Sequence, residues 1–138
     1  MRYDRLEVAP LPDVAAQDEG LTGYVHGLEA SDLEERFARA LDKYAIDYGF
    51  QVPVDTAYTL PGQAKVVDFM VYTGMPRPVE VDGEFTHKTT EQHEADRERD
   101  AQINGALRER GYSPVMRITY EDLIDQDHAN ATVENYIA

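Results

Sequence analysis

Two apolar runs in this chain carry acids where a buried strand can least accommodate them. Val66-Val67-Asp68-Phe69 and, after a loop containing Pro76 and Pro78, Val79-Glu80-Val81-Asp82-Gly83 read as neighbouring strands with three carboxylates set among apolar side chains. An ionised carboxylate withdrawn from water is costly unless a cation sits beside it. Side chains alternate along a strand, so Glu80 and Asp82 share one face while Val79 and Val81 share the other, and both acids converge on Asp68 from the next strand. A divalent ion held by Asp68, Glu80 and Asp82 would answer the charge. An all-oxygen donor set suits magnesium, manganese or calcium better than zinc.

Composition narrows the alternatives. At 138 residues and 42% hydrophobic, the chain fits one domain with one core. It has no cysteine, which excludes disulfides and thiolate metal sites. No apolar run reaches the length of a membrane span, and the first residues lack the basic-then-apolar pattern of a secretory signal, so the expectation is a soluble, cytoplasmic protein without a membrane partner. The formal net charge is −14, from 27 acidic against 13 basic residues, and this argues against a chain that clamps nucleic acid by its overall charge. Local distribution can override the sum, since Arg97, Arg99, Arg108 and Arg110 crowd one segment. The excess acid fits solubility, adaptation to salt, or a surface for a basic partner, and the sequence does not separate these three.

Residues 1–29, with Pro10, Pro12, Gly20, Gly23 and Gly27 and no sustained period, read as an irregular N-terminal extension, part of which pairs as an edge strand around Leu21 to His26. Residues 30–125 form the expected core domain. Ser31 and Glu34 make a capping box at the start of a helix whose apolar stripe is Leu33, Phe37, Ala40, Leu41 and Tyr44, and which is expected to end near Tyr48-Gly49. Strand segments follow at Phe50 to Val54, Ala57 to Leu60, Val66 to Tyr72 and Val79 to Val81. Glu91 to Arg110 is the second helix, stopped by Gly111 as a left-handed cap. Pro114 to Thr119 is the last strand and Glu121 to Ile124 a short helix, while residues 126–138 read as a polar tail that frays. Asp96, Arg99 and Asp100 are spaced for an ion-pair ladder along the second helix.

The order of elements, Asp68, and the Glu80-x-Asp82 pair resemble the PD-(D/E)XK nuclease superfamily, specifically its branch related to the very-short-patch repair endonucleases. The resemblance runs from about Ser31 to Ile124 through Val67-Asp68-Phe69, Val79 to His87, Asp96-Arg97-Glu98-Arg99-Asp100, Leu107 to Gly111 and Val115-Met116-Arg117-Ile118. It implies an α/β fold with a restriction-endonuclease-like core, a central mixed four-stranded sheet flanked by helices in the order α-β-β-β-α-β-α. It also implies a metal-dependent endonuclease that hydrolyses phosphodiester bonds in DNA with Mg2+ or Mn2+, working as a homodimer or within a larger assembly in many relatives.

Carried over residue by residue, the resemblance makes Asp68 and Glu80 metal ligands and His87 a group beside the scissile phosphate. Glu34 matches an acid at the edge of the site. The superfamily's usual lysine falls at Asp82, so the general base stays open, with Asp82 able to bind a second metal or to accept a proton. Arg99 is expected to reach the site from the second helix and offset its negative charge, and Lys65, Arg77 and Lys88 flank it as candidate contacts to a nucleic-acid backbone. Tyr58, Tyr72, Phe85 and Tyr112 are candidate base-stacking rings, with packing as the commoner use of such side chains. Two other functions compete: a non-catalytic module of the same fold whose acidic surface binds a basic protein or imitates DNA, and a metal-dependent nuclease acting on RNA.

Overall fold

The computed structural model describes residues 19–54, 65–82 and 90–138; the side chains at position 65 and at positions 90–93, 95, 96, 99, 102, 103 and 106 lie outside that description. Strands β1 (Tyr24–Val25) and β2 (Leu28–Glu29) form a small ribbon. It turns through His26 at φ 50° and Gly27 at φ 81°, the two positive angles of the tight turn that matches strand twist. This ribbon is a sheet of its own, not an edge strand of the main one. Helix α1 spans Asp32–Lys43, β3 spans Asp47–Val54, β4 Lys65–Tyr72, β5 Arg77–Asp82, α2 Thr90–Glu109 and β6 Met116–Thr119. A short 3-10 helix at Tyr120–Leu123 leads into α3, Gln126–Tyr136. The segment Ala57 to Leu60 lies outside the described residues.

The main sheet runs β3-β4-β5-β6, antiparallel except for the parallel pair β5–β6, so the expected mixed four-stranded α/β architecture is the one observed. A parallel pair needs a crossover, and α2 supplies it between β5 and β6. One cluster joins Phe37, Ala40 and Leu41 of α1, Phe50 of β3, Phe69 and Val71 of β4, Val79 of β5, Ile118 of β6, Leu123, and Ala129 and Val133 of α3. Phe37 meets Phe69 edge-on with ring centroids 4.8 Å apart. A second cluster joins Val54, Val67, Met70 and Leu107, bringing α2 into the core. Because β4 alternates, Asp68 faces away from the Phe69–Phe37 contact.

Two boundaries differ from expectation for identifiable reasons. Helix α1 stops at Lys43, not near Gly49, because Ala45 takes the left-handed conformation at φ 55°. There the Ala45 N–H bonds Asp42 O and the Ile46 N–H bonds Leu41 O, each at 3.0 Å. Gly49 instead sits inside β3 opposite Met70, where a Cβ would lie 2.8 Å from Val52 Cγ2. Since alanine at positive φ carries a penalty that glycine lacks, Ala45→Gly is expected to raise stability by roughly 0.5–1 kcal/mol, read as a higher urea midpoint at unchanged slope. The tail reading of residues 126–138 is corrected too. Asp125 caps α3 by accepting from His128 N at 2.7 Å, and Ala129 and Val133, four apart, bury one face. That face is too short to outweigh its polar neighbours in the sequence pattern. By contrast, α2 ends at Gly111 as expected, with φ 85°, Gly111 N to Arg108 O at 3.1 Å and Tyr112 N to Leu107 O at 2.9 Å.

Residues 19–23 are strapped onto the helices. The Glu19 carboxylate pairs with Arg36 Nε at 2.8 Å and accepts from Gln126 N at 2.7 Å, while Arg39 donates to the carbonyls of Glu19 and Gly20. Glu35, only 4% exposed, accepts from Thr22 N, Thr22 Oγ1 and Gly23 N, all within 2.9 Å.

Candidate active site

The β4–β5 register pairs Phe69 with Val79 and Met70 with Pro78, and by alternation their neighbours Asp68 and Glu80 lie on the same face of the sheet. The Asp68 Oδ2 accepts from the Val81 backbone N at 2.7 Å, which ties this acid to the strand bearing Glu80 and Asp82. In the parallel pair, Glu80 stands opposite Arg117 and Asp82 opposite Thr119. Strand pairing therefore assembles Asp68, Glu80, Asp82 and Arg117 on one face, with Asp100 approaching from α2.

Arg117 organises this face. Its Nε and Nη2 grip Asp100 in a two-bond fork at 2.7 and 2.9 Å, and its Nη1 lies 3.5 Å from Asp82 Oδ1. The hydrogen bonds to Asp100 raise the guanidinium pKa above its usual value, burial opposes that, and the charges of Asp100, Asp82 and Glu80 reinforce it. The group stays ionised throughout the accessible pH range. It is a fixed cation facing the three carboxylates of Asp100, Asp82 and Glu80, and it reduces the cost of half-burying them.

The expected three-ligand cage of Asp68, Glu80 and Asp82 is not formed by the described side chains. Among the described residues no three His, Asp or Glu side chains converge as an ion-holding group. Asp82 is drawn towards Arg117, while Asp68 is held by the Val81 amide. Glu34 completes the capping box of α1, its Oε1 accepting from Ser31 N at 2.8 Å. Arg77 turns to the Pro114 carbonyl at 3.2 Å, three residues from Glu80 and on the opposite parity of β5. Asp100 accepts from Arg117 of β6 with both carboxylate oxygens, while the side chains of its expected ladder partners Asp96 and Arg99 lie outside the described residues. His87, Lys88, Tyr58 and Phe85 lie outside the described residues, as do the side chains of Arg99 and Lys65. Tyr112 packs against the second core cluster, and Tyr72 is exposed.

Sequence reasoning missed Arg117 as a site residue, although the signal was present. It stands between Met116 and Ile118 in a strand, the same inverted pattern that singled out Glu80 between valines. A charged side chain on the minority face of two adjacent strands is a pairing signal once their register is known.

No family model matches the chain, and no curated protein does. Among solved structures, the chain is similar to the catalytic domain of the homing endonuclease I-Bth0305I, over 77% of this chain and 93% of that one, at 21% identity and a TM-score of 0.46. No helix among the described residues is long and apolar enough to cross a membrane.

Proposed function

We propose that the face carrying Asp68, Glu80, Asp82 and Arg117 is the active site of a metal-dependent endonuclease of the PD-(D/E)XK type, related to the very-short-patch repair branch and acting on DNA. The observation that carries this reading is the bond from the Val81 amide to the Asp68 carboxylate, which ties this acid to the strand bearing Glu80 and Asp82, next to the Phe69–Val79 pair. Magnesium keeps several of its waters and needs only one or two protein carboxylates, so two acids on facing strands fit it without a third ligand. Bound there, Mg2+ or Mn2+ would supply a Lewis acid that makes water nucleophilic at neutral pH and polarises a phosphoryl oxygen.

The protein's own groups account for the rest. Hydrolysis joins the oxygen of one water to phosphorus and breaks the bond from phosphorus to the leaving sugar oxygen. One proton of that water passes to a base and the leaving oxygen gains another. Asp82, with 39% of its side chain exposed and its carboxylate beside Arg117, is positioned to accept the first. His87, which the sequence resemblance sets beside the scissile phosphate, is assigned the second, imidazole being a side chain suited to proton transfer. Lys65 and Lys88 are assigned backbone contacts because they flank the proposed site along the sequence, and so few contacts make binding modest and sensitive to salt.

Incubating the protein with supercoiled plasmid and Mg2+ or Mn2+ tests the reading. Metal-dependent nicking lost in Asp68→Ala and Glu80→Ala, and equally in the folded amide variants Asp68→Asn and Glu80→Gln, supports it. Nicking that persists in these variants identifies a contaminant, and an inert parent favours the non-catalytic module with an acidic surface. Faster cleavage of RNA run alongside would move the substrate from DNA to RNA.

A further inference from the structure

Among the described residues, Arg117 gives Asp100 only part of what it can donate on the face that the proposed reaction uses. Its guanidinium carries five N–H groups, and Asp100 takes one from Nε and one from Nη2. Nη1 stands 3.5 Å from Asp82, longer than a sound hydrogen bond, and the side chain is 29% exposed. The fork to Asp100 fixes the orientation of the planar group, so Nη1 stands at a defined place near Asp82, on the face that also carries Glu80, the partner of Arg117 in the β5–β6 register. A rigid guanidinium with donors that no described residue holds in a short hydrogen bond suits the oxygens of a phosphate diester.

We infer that Arg117 is the phosphate-contacting cation of this site, donating from Nη1 to a non-bridging oxygen of the scissile phosphate while Asp100 holds it in place. The inference rests on the endonuclease reading. Asp82 then has two successive roles, as the counter-charge of Nη1 in the free protein and as a carboxylate released towards the attacking water once phosphate takes its place. Asp100 is a positioning residue, acting only through Arg117.

The test is plasmid nicking by the parent, Arg117→Gln, Arg117→Lys and Asp100→Asn, with kcat and KM resolved over a salt series, alongside Mn2+ binding by calorimetry. Loss of a donor to developing charge is expected to lower kcat about 100-fold in Arg117→Gln. The log–log salt slope for DNA binding should fall by about 1, as for one lost phosphate contact. Mn2+ should bind this variant at least as tightly as the parent, because a nearby cation has gone. Arg117→Lys should recover the salt slope and only part of kcat, and Asp100→Asn should lower kcat with the slope retained. An active parent with Arg117→Gln matching it in kcat and slope would overturn the role of Arg117 alone. An inert parent overturns the endonuclease reading and this inference with it. If Arg117→Gln does not fold, Arg117→Lys decides: a loss of about 10-fold or more in kcat with an unchanged slope supports the contact, and parent-like kinetics rejects it.

Discussion

Glu80→Gln is expected to lower metal-dependent nicking by at least about 10²–10³-fold with little change in melting temperature, and Asp68→Asn by a similar factor. The choice of amides matters. Asp68 has a structural duty beside its proposed chemical one, since its Oδ2 accepts from the Val81 amide. Alanine there would strand a part-buried N–H and cost roughly 1–3 kcal/mol, mixing instability with lost chemistry. Asparagine keeps a carbonyl oxygen for that amide while removing the charge that a hard cation requires. Glu80 faces Arg117 across the β5–β6 pair, and Arg117 keeps Asp100 and Asp82 when Glu80 becomes neutral. Loss of activity with retained melting temperature in both amides separates a catalytic face from an ion-pair network that merely closes the sheet.

The second large effect lies far along the chain from these acids. Glu35→Gln is expected to destabilise the protein by about 2–3 kcal/mol, because its carboxylate sits where only acceptors fit. Thr22 N approaches both oxygens at 2.8 and 2.9 Å, Gly23 N approaches at 2.8 Å, and Arg39 lies at 3.4 Å. A glutamine would direct its own N–H2 at one of these donors. Burial alone pushes the Glu35 carboxyl up, but the bonds from Thr22 and Gly23 and the charge of Arg39 outweigh it, holding the pKa below the ordinary 4.5. The folded value is thus the depressed one. Its stabilisation is complete above pH 4.5 and is lost as pH falls through the folded pKa. The melting temperature of the parent should therefore drop below pH 4.5 with a component that Glu35→Gln lacks, as measured by circular dichroism across an acid series.

The sequence showed the main sheet well because its strands are long and punctuated. Val66 to Tyr72 was off by one residue at its start, and the ends of α2 by one residue each, the C-terminal end marked by Gly111 in its positive-φ cap. It failed at α1, where a strained Ala45 does what glycine normally does, and Gly49 serves close packing inside a strand. It also failed at α3 and at the strap formed by residues 19–23, both held by contacts between distant parts of the chain: Glu19 to Gln126, and Glu35 to Thr22. Such pairings have no local period to betray them.

The candidate site was legible in part for the same reason. Alternation within β5 put Glu80 and Asp82 on one face, but the partner of Asp82 depends on which strand lies beside β5, and that strand is β6 after a crossover of more than thirty residues. The bond from Arg117 to Asp100 spans 17 positions, so the spacing along α2 carried no sign of it. Charge pairing across a sheet becomes readable only after topology is known.

The most direct measurement of the central claim is a crystal of the protein soaked in Mn2+ and examined for anomalous scattering at the face of β4 and β5. The account predicts a peak in bonding contact with carboxylate oxygens of both Asp68 and Glu80, with Arg117 still forked to Asp100. A well-ordered face with no peak between those two acids, or an ion bound elsewhere while Asp68 stays on the Val81 amide and Glu80 beside Arg117, would contradict it.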